Sequence, residues 1–156
     1  VPESVFKLAP EVQVTVAGFC VGSGGLTGLV SFDGAGIAPE NFEVNNNLGN
    51  VYLHKSLYPD AVRHYRKAIQ VRLDAGVTRY NLGLAYQELG QADEAQSMFL
   101  ELIKIAPTYW DAYYQLALIL IKKGDKENAR KFLETLLAKN PNYEKKDEVR
   151  SLLAKL

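Results

Sequence analysis

Two histidines and one cysteine are the side chains of this chain best suited to metal binding or catalysis. His54 and His64 lie ten residues apart, and neither has a cysteine or a pair of carboxylates at the spacing that a metal site needs. We therefore expect both to be surface histidines, with His54 facing a groove between helices and His64 facing outwards. Cys20 is the only cysteine, which excludes an internal disulfide and a thiolate metal cluster. The sequence predicts no catalytic residue, no metal site and no cofactor.

The glycine-rich stretch GSGG, residues 22–25, is the segment that comes nearest to a phosphate-binding loop. Such a loop leads into the N-terminus of a helix, whereas this stretch precedes the strand-like run LTGLVSF. We therefore interpret it as a turn. The sequence also has no HExxH motif, no nucleophile elbow and no paired-acid motif, so it predicts a protein without enzymatic activity.

The charge balance argues against nucleic-acid and membrane partners. The 18 Lys and Arg residues match 18 Asp and Glu residues, whereas nucleic acids and anionic membranes favour a basic excess. One predicted helix carries four basic residues that could meet phosphates, but its neighbours offset them: Arg63, Arg66, Lys67 and Arg72. The longest apolar run, residues 116–121, is far shorter than the roughly 20 residues that span a bilayer. We expect no nucleic-acid partner and no membrane span.

A repeat with a period of about 34 residues organises most of the chain. Residues 47–69 align with residues 81–103 at this offset, and the matched positions carry similar side chains: Leu48, Gly49, Tyr52, Ala61 and Tyr65 against Leu82, Gly83, Tyr86, Ala95 and Phe99. One further period along the chain, the match is looser: Leu116, Ala117, Ala129 and Leu133. An ordinary helical bundle would not keep one spacing at so many positions, so we interpret the pattern as a true structural repeat.

Each repeat is predicted to be a pair of helices. Pro107 and Pro141, separated by the same offset, end the second helices, because proline disfavours helical geometry in the preceding residue. Gly49 and Gly83 fall within first helices, where glycine costs about 1 kcal/mol relative to alanine. We therefore expect another backbone to approach closely at these glycines. The pattern predicts seven helices, at about residues 43–56, 59–73, 76–89, 93–106, 110–123, 126–139 and 143–155.

The succession of Leu-Gly, Tyr, Ala, an aromatic residue and Pro at this period resembles the tetratricopeptide repeat. The resemblance covers residues 42–156 and implies an all-α fold, a right-handed α-solenoid of three helical hairpins and a C-terminal capping helix. The repeats would span residues 42–75, 76–109 and 110–143, and the capping helix residues 144–156. The capping helix would cover the last repeat with an apolar stripe: Val149, Leu152, Leu153 and Leu156.

Residues 1–41 follow a different pattern, rich in glycine and valine. Residues 12–21 and 26–32 predict a β-hairpin around the glycine-rich turn, because valines alternate along the first of these segments. An isolated hairpin is marginal in water. We expect this segment to pack on the helices, to pair with another chain or to be partly disordered. Pairing would make it the docking element of a homo-oligomer or a larger assembly.

In the tetratricopeptide family, the first helix of each hairpin lines a concave groove that holds a peptide or a partner helix. The resemblance places the following residues in this groove: Asn46, Asn50, Leu53, His54, Val77, Tyr80, Asn81, Leu84, Gln87, Asp111, Tyr114, Leu118, Ile121 and Lys122. Asn50 and Asn81 could hydrogen-bond a peptide backbone, and Tyr80 and Tyr114 could anchor apolar side chains. The alternative is that these tyrosines only complete the packing between hairpins.

Family members that bind chaperone C-termini hold two carboxylates in a clamp of Lys, Asn, Asn, Lys and Arg side chains. Asn50 and Asn81 match the two asparagines of that clamp. Asn46, Asp111 and Gln115 stand where the three cations would be. Without those cations a terminal carboxylate has little to bind it, so the resemblance argues against this class of ligand.

The function that these features favour is a non-enzymatic scaffold or adaptor, whose groove binds a peptide or another segment of a partner protein. The rival hypothesis is a structural subunit of a larger assembly, docked through residues 1–40. The sequence identifies neither the partner nor the cellular compartment.

Overall fold

The computed structural model describes residues 5–9, 12–15 and 41–156 of the chain. Within these ranges it contains two strands, β1 (Val5–Ala9) and β2 (Val12–Thr15), followed by helices α1 to α7. In chain order the helices are Phe42–His54, Tyr58–Val71, Gly76–Glu88, Ala92–Ile105, Trp110–Lys122, Lys126–Lys139 and Lys146–Lys155. The strands and the helices belong to two separate compact units.

The helices form the right-handed solenoid that the repeat predicts. Hairpins form between α1 and α2, between α3 and α4 and between α5 and α6, and each second helix then packs on the following first helix. Helix α7 packs on α6 at the end of the stack. The first six helices lie within two residues of their predicted bounds, whereas α7 begins three residues later, because Tyr143 is buried in the connection that precedes it.

The turn inside each hairpin places one residue in the left-handed backbone region. Gly90 and Gly124 have φ angles of 73° and 82°, and Ser56 at the same repeat position has a φ angle of 58°. Glycine adopts this conformation without a steric penalty, whereas serine does not. The glycines therefore mark the turns of the second and third hairpins.

Gly49 and Gly83 lie where an aromatic ring of the second helix presses on the first helix. A Cβ atom added at Gly49 would lie 2.5 Å from Cδ1 of Tyr65, and one added at Gly83 would lie 2.7 Å from Cε1 of Phe99. The close approach that the sequence predicts is present, but the approaching group is a ring and not a backbone. Because both rings are fully buried, neither can move aside at low cost for a methyl group.

The third repeat fills the same space with a different pair of residues. Ala117 and Leu133 stand one repeat after Gly83 and Phe99, and both are fully buried. The third repeat therefore combines a Cβ atom on the first helix with an aliphatic side chain on the second. The glycine–aromatic and alanine–leucine pairs are alternative solutions to one packing problem.

The two strands form an antiparallel pair with Val5 opposite Thr15. The strand predicted at residues 12–21 is present in part, as β2, but it pairs with β1, for which the sequence indicated no strand. The pairing partner predicted for it, residues 26–32, lies outside the described residues, and so does Cys20.

His64 is buried, with 8% of its surface exposed, so the expectation of an outward-facing histidine is wrong. Its ring stacks on that of Tyr52 with centroids 5.3 Å apart, and its Nδ1 atom lies 3.0 Å from Oδ1 of Asn45. An amide oxygen can only accept a hydrogen bond, so Nδ1 donates. Burial, reinforced by the positive charges of Arg63 and Lys67, lowers the pKa of His64 to about 4.

An aromatic cluster fixes the start of α5. Trp110, the only tryptophan of the chain, has its ring centroid 5.6 Å from that of Tyr113. The Tyr113 ring in turn lies 6.2 Å from that of Phe132 on α6, and its hydroxyl donates a 3.0 Å hydrogen bond to the carbonyl of Pro107. The cluster therefore joins both helices of the third hairpin to the turn before it.

Gly83→Ala should destabilise the protein, and its effect should reverse sign when Phe99 is replaced by leucine. In the wild-type background the new methyl group lies 2.7 Å from the buried ring, so we expect a cost towards the upper end of about 1–3 kcal/mol, which exceeds the roughly 1 kcal/mol gained in helix propensity. In the Phe99→Leu background the pair copies Ala117 and Leu133, so only the propensity gain remains. Urea unfolding of the two single variants and the double variant measures both effects. Equal effects of Gly83→Ala in the two backgrounds would contradict the packing described for Gly83.

Stability should fall as the pH decreases from about 6.5 towards 4, because of His64. Its pKa in the folded state, about 4, lies below the value of about 6.5 for an unfolded chain. As the pH falls, the unfolded state therefore binds this proton first. The free energy of unfolding then decreases by up to about 1.4 kcal/mol per pH unit. His64→Gln should flatten the pH dependence of the urea midpoint over this interval. His54→Gln, at an exposed histidine, is the matched control and should leave the dependence unchanged.

Candidate functional site on the first helices

The exposed sides of α1, α3 and α5 are together called here the first-helix face. The predicted groove residues lie on these helices and fall into three groups by exposure. Exposed are His54, Val77 and Lys122. Half-buried are Asn46, Asn50, Leu53, Tyr80, Asn81, Leu84, Gln87, Asp111, Leu118 and Ile121. Only Tyr114 among them is buried, with 4% of its surface exposed.

The two asparagines expected to meet a peptide backbone are bonded to each other. Asn81 Nδ2 donates a 3.1 Å hydrogen bond to Asn50 Oδ1, and the Tyr65 hydroxyl donates a 2.8 Å hydrogen bond to the same oxygen. Both lone pairs of that oxygen are then used, so Asn50 can offer a peptide only its amide N–H groups. Burial raises the pKa of Tyr65 to about 12, which keeps the hydroxyl protonated as a donor.

A second polar contact joins α1 to α3 nearer the start of both helices. The hydroxyl of Thr78, which is 1% exposed, donates a 2.8 Å hydrogen bond to Oδ1 of Asn46. Thr78 was not among the predicted site residues. It lies slightly less than one repeat after Asn46, so the repeat offset itself brings the two side chains onto neighbouring helices.

Tyr80 forms the aromatic part of the face at the centre of the stack. Its ring centroid lies 5.7 Å from that of Phe99 and 5.2 Å from that of Tyr109. Burial raises the pKa of Tyr80, partly offset by a hydrogen bond with Gln115. Packing against these two rings fixes the position of the Tyr80 ring, and the residue stays half-buried. An aromatic side chain that is held in place and keeps some exposed surface can contact a partner.

Tyr114 instead takes the alternative role of completing the packing between helices. Its hydroxyl donates to a carboxylate oxygen of Glu148 on α7, and its ring lies 6.2 Å from that of Tyr143. The ammonium group of Lys145 lies 5.1 Å above the Tyr114 ring. Burial and Glu148 together raise the pKa of the Tyr114 hydroxyl. Helix α7 and the connection before it therefore cover this part of α5.

Asp111 is also engaged by the connection to α7. The Tyr143 hydroxyl donates a 2.6 Å hydrogen bond to Asp111 Oδ1. Tyr143 and Glu148 were missed as site neighbours, although Glu148 lies one full repeat after Tyr114. Continuing the repeat register into the capping helix would have found it.

Among the described residues, no three or more His, Cys, Asp or Glu side chains are grouped so that they could hold a metal ion. None of the described helices has the length and hydropathy of a transmembrane segment. The chemistry that the first-helix face offers is hydrogen bonding by amides and contact by aromatic and aliphatic side chains.

Two family models described as tetratricopeptide repeat match this chain, one over residues 40–108 and the other over residues 88–156. Among curated relatives, the TPR repeat-containing thioredoxin TTL4 of Arabidopsis thaliana is 33% identical over 85 residues, which are 54% of this chain and 12% of that protein. The TPR repeat-containing protein MJ1428 of Methanocaldococcus jannaschii is 32% identical over 95 residues, which are 61% of this chain and 17% of that protein. The chain thus spans less than a fifth of either relative.

Solved structures show the same helical arrangement. The TPR2B domain of yeast Sti1, in complex with an Hsp70 peptide, matches with a TM-score of 0.66 and 25% identity, over 73% of this chain and 94% of that one. The first TPR of Spaghetti (RPAP3), bound to the HSP90 peptide SRMEEVD, matches with a TM-score of 0.64 and 25% identity, over 71% and 89% of the two chains. The repeat period, the helical hairpins and these matches lead to one assignment. The chain belongs to the tetratricopeptide repeat family.

Proposed function

We propose that residues 42–156 form a non-enzymatic protein-interaction module that binds an extended peptide segment of a partner protein on the first-helix face. The observation that carries the proposal is the half-buried Tyr80 ring on α3 next in sequence to Asn81, whose amide is hydrogen-bonded to that of Asn50 on α1. An aromatic anchor next to fixed hydrogen-bonding groups is typical of interface residues that dominate binding energy. The peptide complexes of the two structural neighbours support the same use of this fold.

The hydrogen bonds within the face favour a partner that binds an already ordered surface. Asn50 is held by Tyr65 and Asn81, and Asn46 is held by Thr78. Side chains that are fixed before binding lose little conformational entropy when the partner arrives. The remaining amide N–H groups of Asn50 and Asn81 are hydrogen-bond donors. In this proposal they donate to backbone carbonyls of the partner.

The partner segment is not expected to be recognised by a C-terminal carboxylate. Of the three positions that would need a cation, Asn46 and Asp111 accept hydrogen bonds within the protein, and Gln115 is uncharged. Asp111 would repel a second carboxylate at short range. The proposed ligand is therefore an internal segment, read through its backbone and its apolar side chains.

The peptide SRMEEVD should bind no more tightly than about 10 μM, equivalent to about 7 kcal/mol, when measured by isothermal titration calorimetry. The combined variant Asn46→Lys, Asp111→Lys and Gln115→Arg supplies the three missing cations and should gain affinity for this peptide. Binding of the wild-type protein in the nanomolar range would mean that the residues assigned to the clamp positions are wrong.

Peptides selected from a phage-displayed library on the immobilised protein should depend on the centre of the first-helix face. Tyr80→Ala should weaken their binding by about 2 kcal/mol, roughly thirtyfold, and Asn81→Ala by about 1–3 kcal/mol. Arg66→Ala on the exposed side of α2 is the control and should leave the affinity unchanged. Fluorescence anisotropy of labelled peptides gives the dissociation constants for the wild-type protein and each variant.

The reverse result would overturn the proposal. If Arg66→Ala abolishes binding while Asn81→Ala preserves it, the partner lies on the second helices. The rival proposal, a subunit of a larger assembly docked through residues 1–40, would then be favoured. Deletion of residues 1–40 distinguishes the two proposals in a second way, because it should leave peptide binding to the first-helix face intact.

A further inference from the structure

A cavity of about 170 Å³ opens between the C-terminal ends of α3 and α5. It is lined by Gln87, Gly90, Ala92, Ile119 and Lys122. Two of these residues, Gln87 and Lys122, are among those that the family resemblance places in the groove, and both line this cavity.

The wall of the cavity is mainly apolar. Ile119, only 2% exposed, lines it together with Gly90 and Ala92 from the turn between α3 and α4 and the start of α4. The Gln87 amide and the Lys122 ammonium group supply the polar groups. A cavity of about 150 Å³ is known to hold one benzene molecule, so this one suits a single aromatic or branched aliphatic side chain.

Lys122 provides a positive charge that the described part of the chain does not pair. The adjacent Lys123 is bonded to Asp93 at 2.5 Å and to Gln96 at 2.8 Å. The ion pairs among residues 41–156 do not include Lys122, and its side chain is exposed. An acidic group beside the cavity would complement this charge.

The cavity lies on the same side of α3 as Tyr80. Tyr80, Leu84 and Gln87 follow one another on α3 at spacings of four and three residues, which places them on one side of the helix. From Tyr80 to Gln87 the helix rises about 10 Å, a distance that three extended residues of a peptide span. One short peptide segment can therefore reach both places.

We propose that this cavity seats one apolar side chain of the partner segment, and that an acidic residue next to it in the segment pairs with Lys122. The inference rests on the proposed function, because it identifies which peptides the first-helix face takes. In this arrangement the Gln87 amide, which belongs to the lining of the cavity, hydrogen-bonds the peptide unit between the two residues.

The test uses the whole protein and a phage-displayed library of random peptides as the probe. The selected peptides should share an apolar residue next to Asp or Glu. Ala92→Leu, at the half-buried first residue of α4, fills the cavity and should weaken their binding at least tenfold. Lys122→Gln should weaken binding threefold to tenfold and reduce its dependence on salt concentration. Lys123→Gln is the matched control, because it makes the same change of charge one residue away. It should change neither the affinity for the peptides nor the salt dependence of binding.

The outcomes separate the two proposals. Peptides that lose affinity with Tyr80→Ala but keep it with Ala92→Leu and Lys122→Gln would overturn the cavity assignment and leave the proposed function standing. Selection of peptides without acidic residues would also overturn it. If no selected peptide binds the wild-type protein, or if binding maps to Arg66, the proposed function fails and the inference with it. Circular dichroism checks the fold of each variant, and Lys122→Gln decides the question if Ala92→Leu does not fold.

Discussion

The contact of an aromatic ring with a glycine inside each of the first two hairpins is the constraint on which the first-helix face depends. At Gly49 the absence of a Cβ atom lets the Tyr65 ring lie against α1, and the hydroxyl of the same ring then reaches Asn50. At Gly83 the Phe99 ring takes the corresponding place and supports the ring of Tyr80. A residue of the second helix thereby orients side chains on the first, so packing inside a hairpin determines what the surface presents.

Hydrogen bonds between successive first helices, and between α5 and the connection to α7, add order along the stack. Asn46 with Thr78, Asn50 with Asn81 and Asp111 with Tyr143 each join residues nearly one repeat apart. These hydrogen bonds occupy side-chain groups that the sequence analysis assigned to a partner. They also fix the positions of the polar groups that remain free on the same side chains. A surface of this kind favours partners that fit its existing geometry over partners that require it to rearrange.

The sequence predicted the helices well because the same pattern of residues occurs in three successive repeats. Apolar, glycine and proline positions recur at one period, and the six helices of the three hairpins follow from them, whereas α7 was predicted from its own apolar stripe. The failures concern residues whose environment depends on particular neighbours that the repeat does not specify. His64 is polar and was assigned to the surface, yet Asn45 and Tyr52 stabilise it inside the protein. Tyr114 is covered by a capping helix whose side chains the repeat pattern did not include, and the cavity beside Ile119 depends on how two helix ends meet.

The position of Trp110 has a spectroscopic consequence. Its indole is the only one in the chain, and it sits at the start of α5 against Tyr113. Intrinsic tryptophan fluorescence therefore reports on the third hairpin alone, whereas far-ultraviolet dichroism averages over every helix. In a stack where each repeat contacts only its neighbours, stability is a sum of local terms, and the ends can open before the middle. The difference between the two signals during unfolding gives a direct measure of how far order propagates from one repeat to the next.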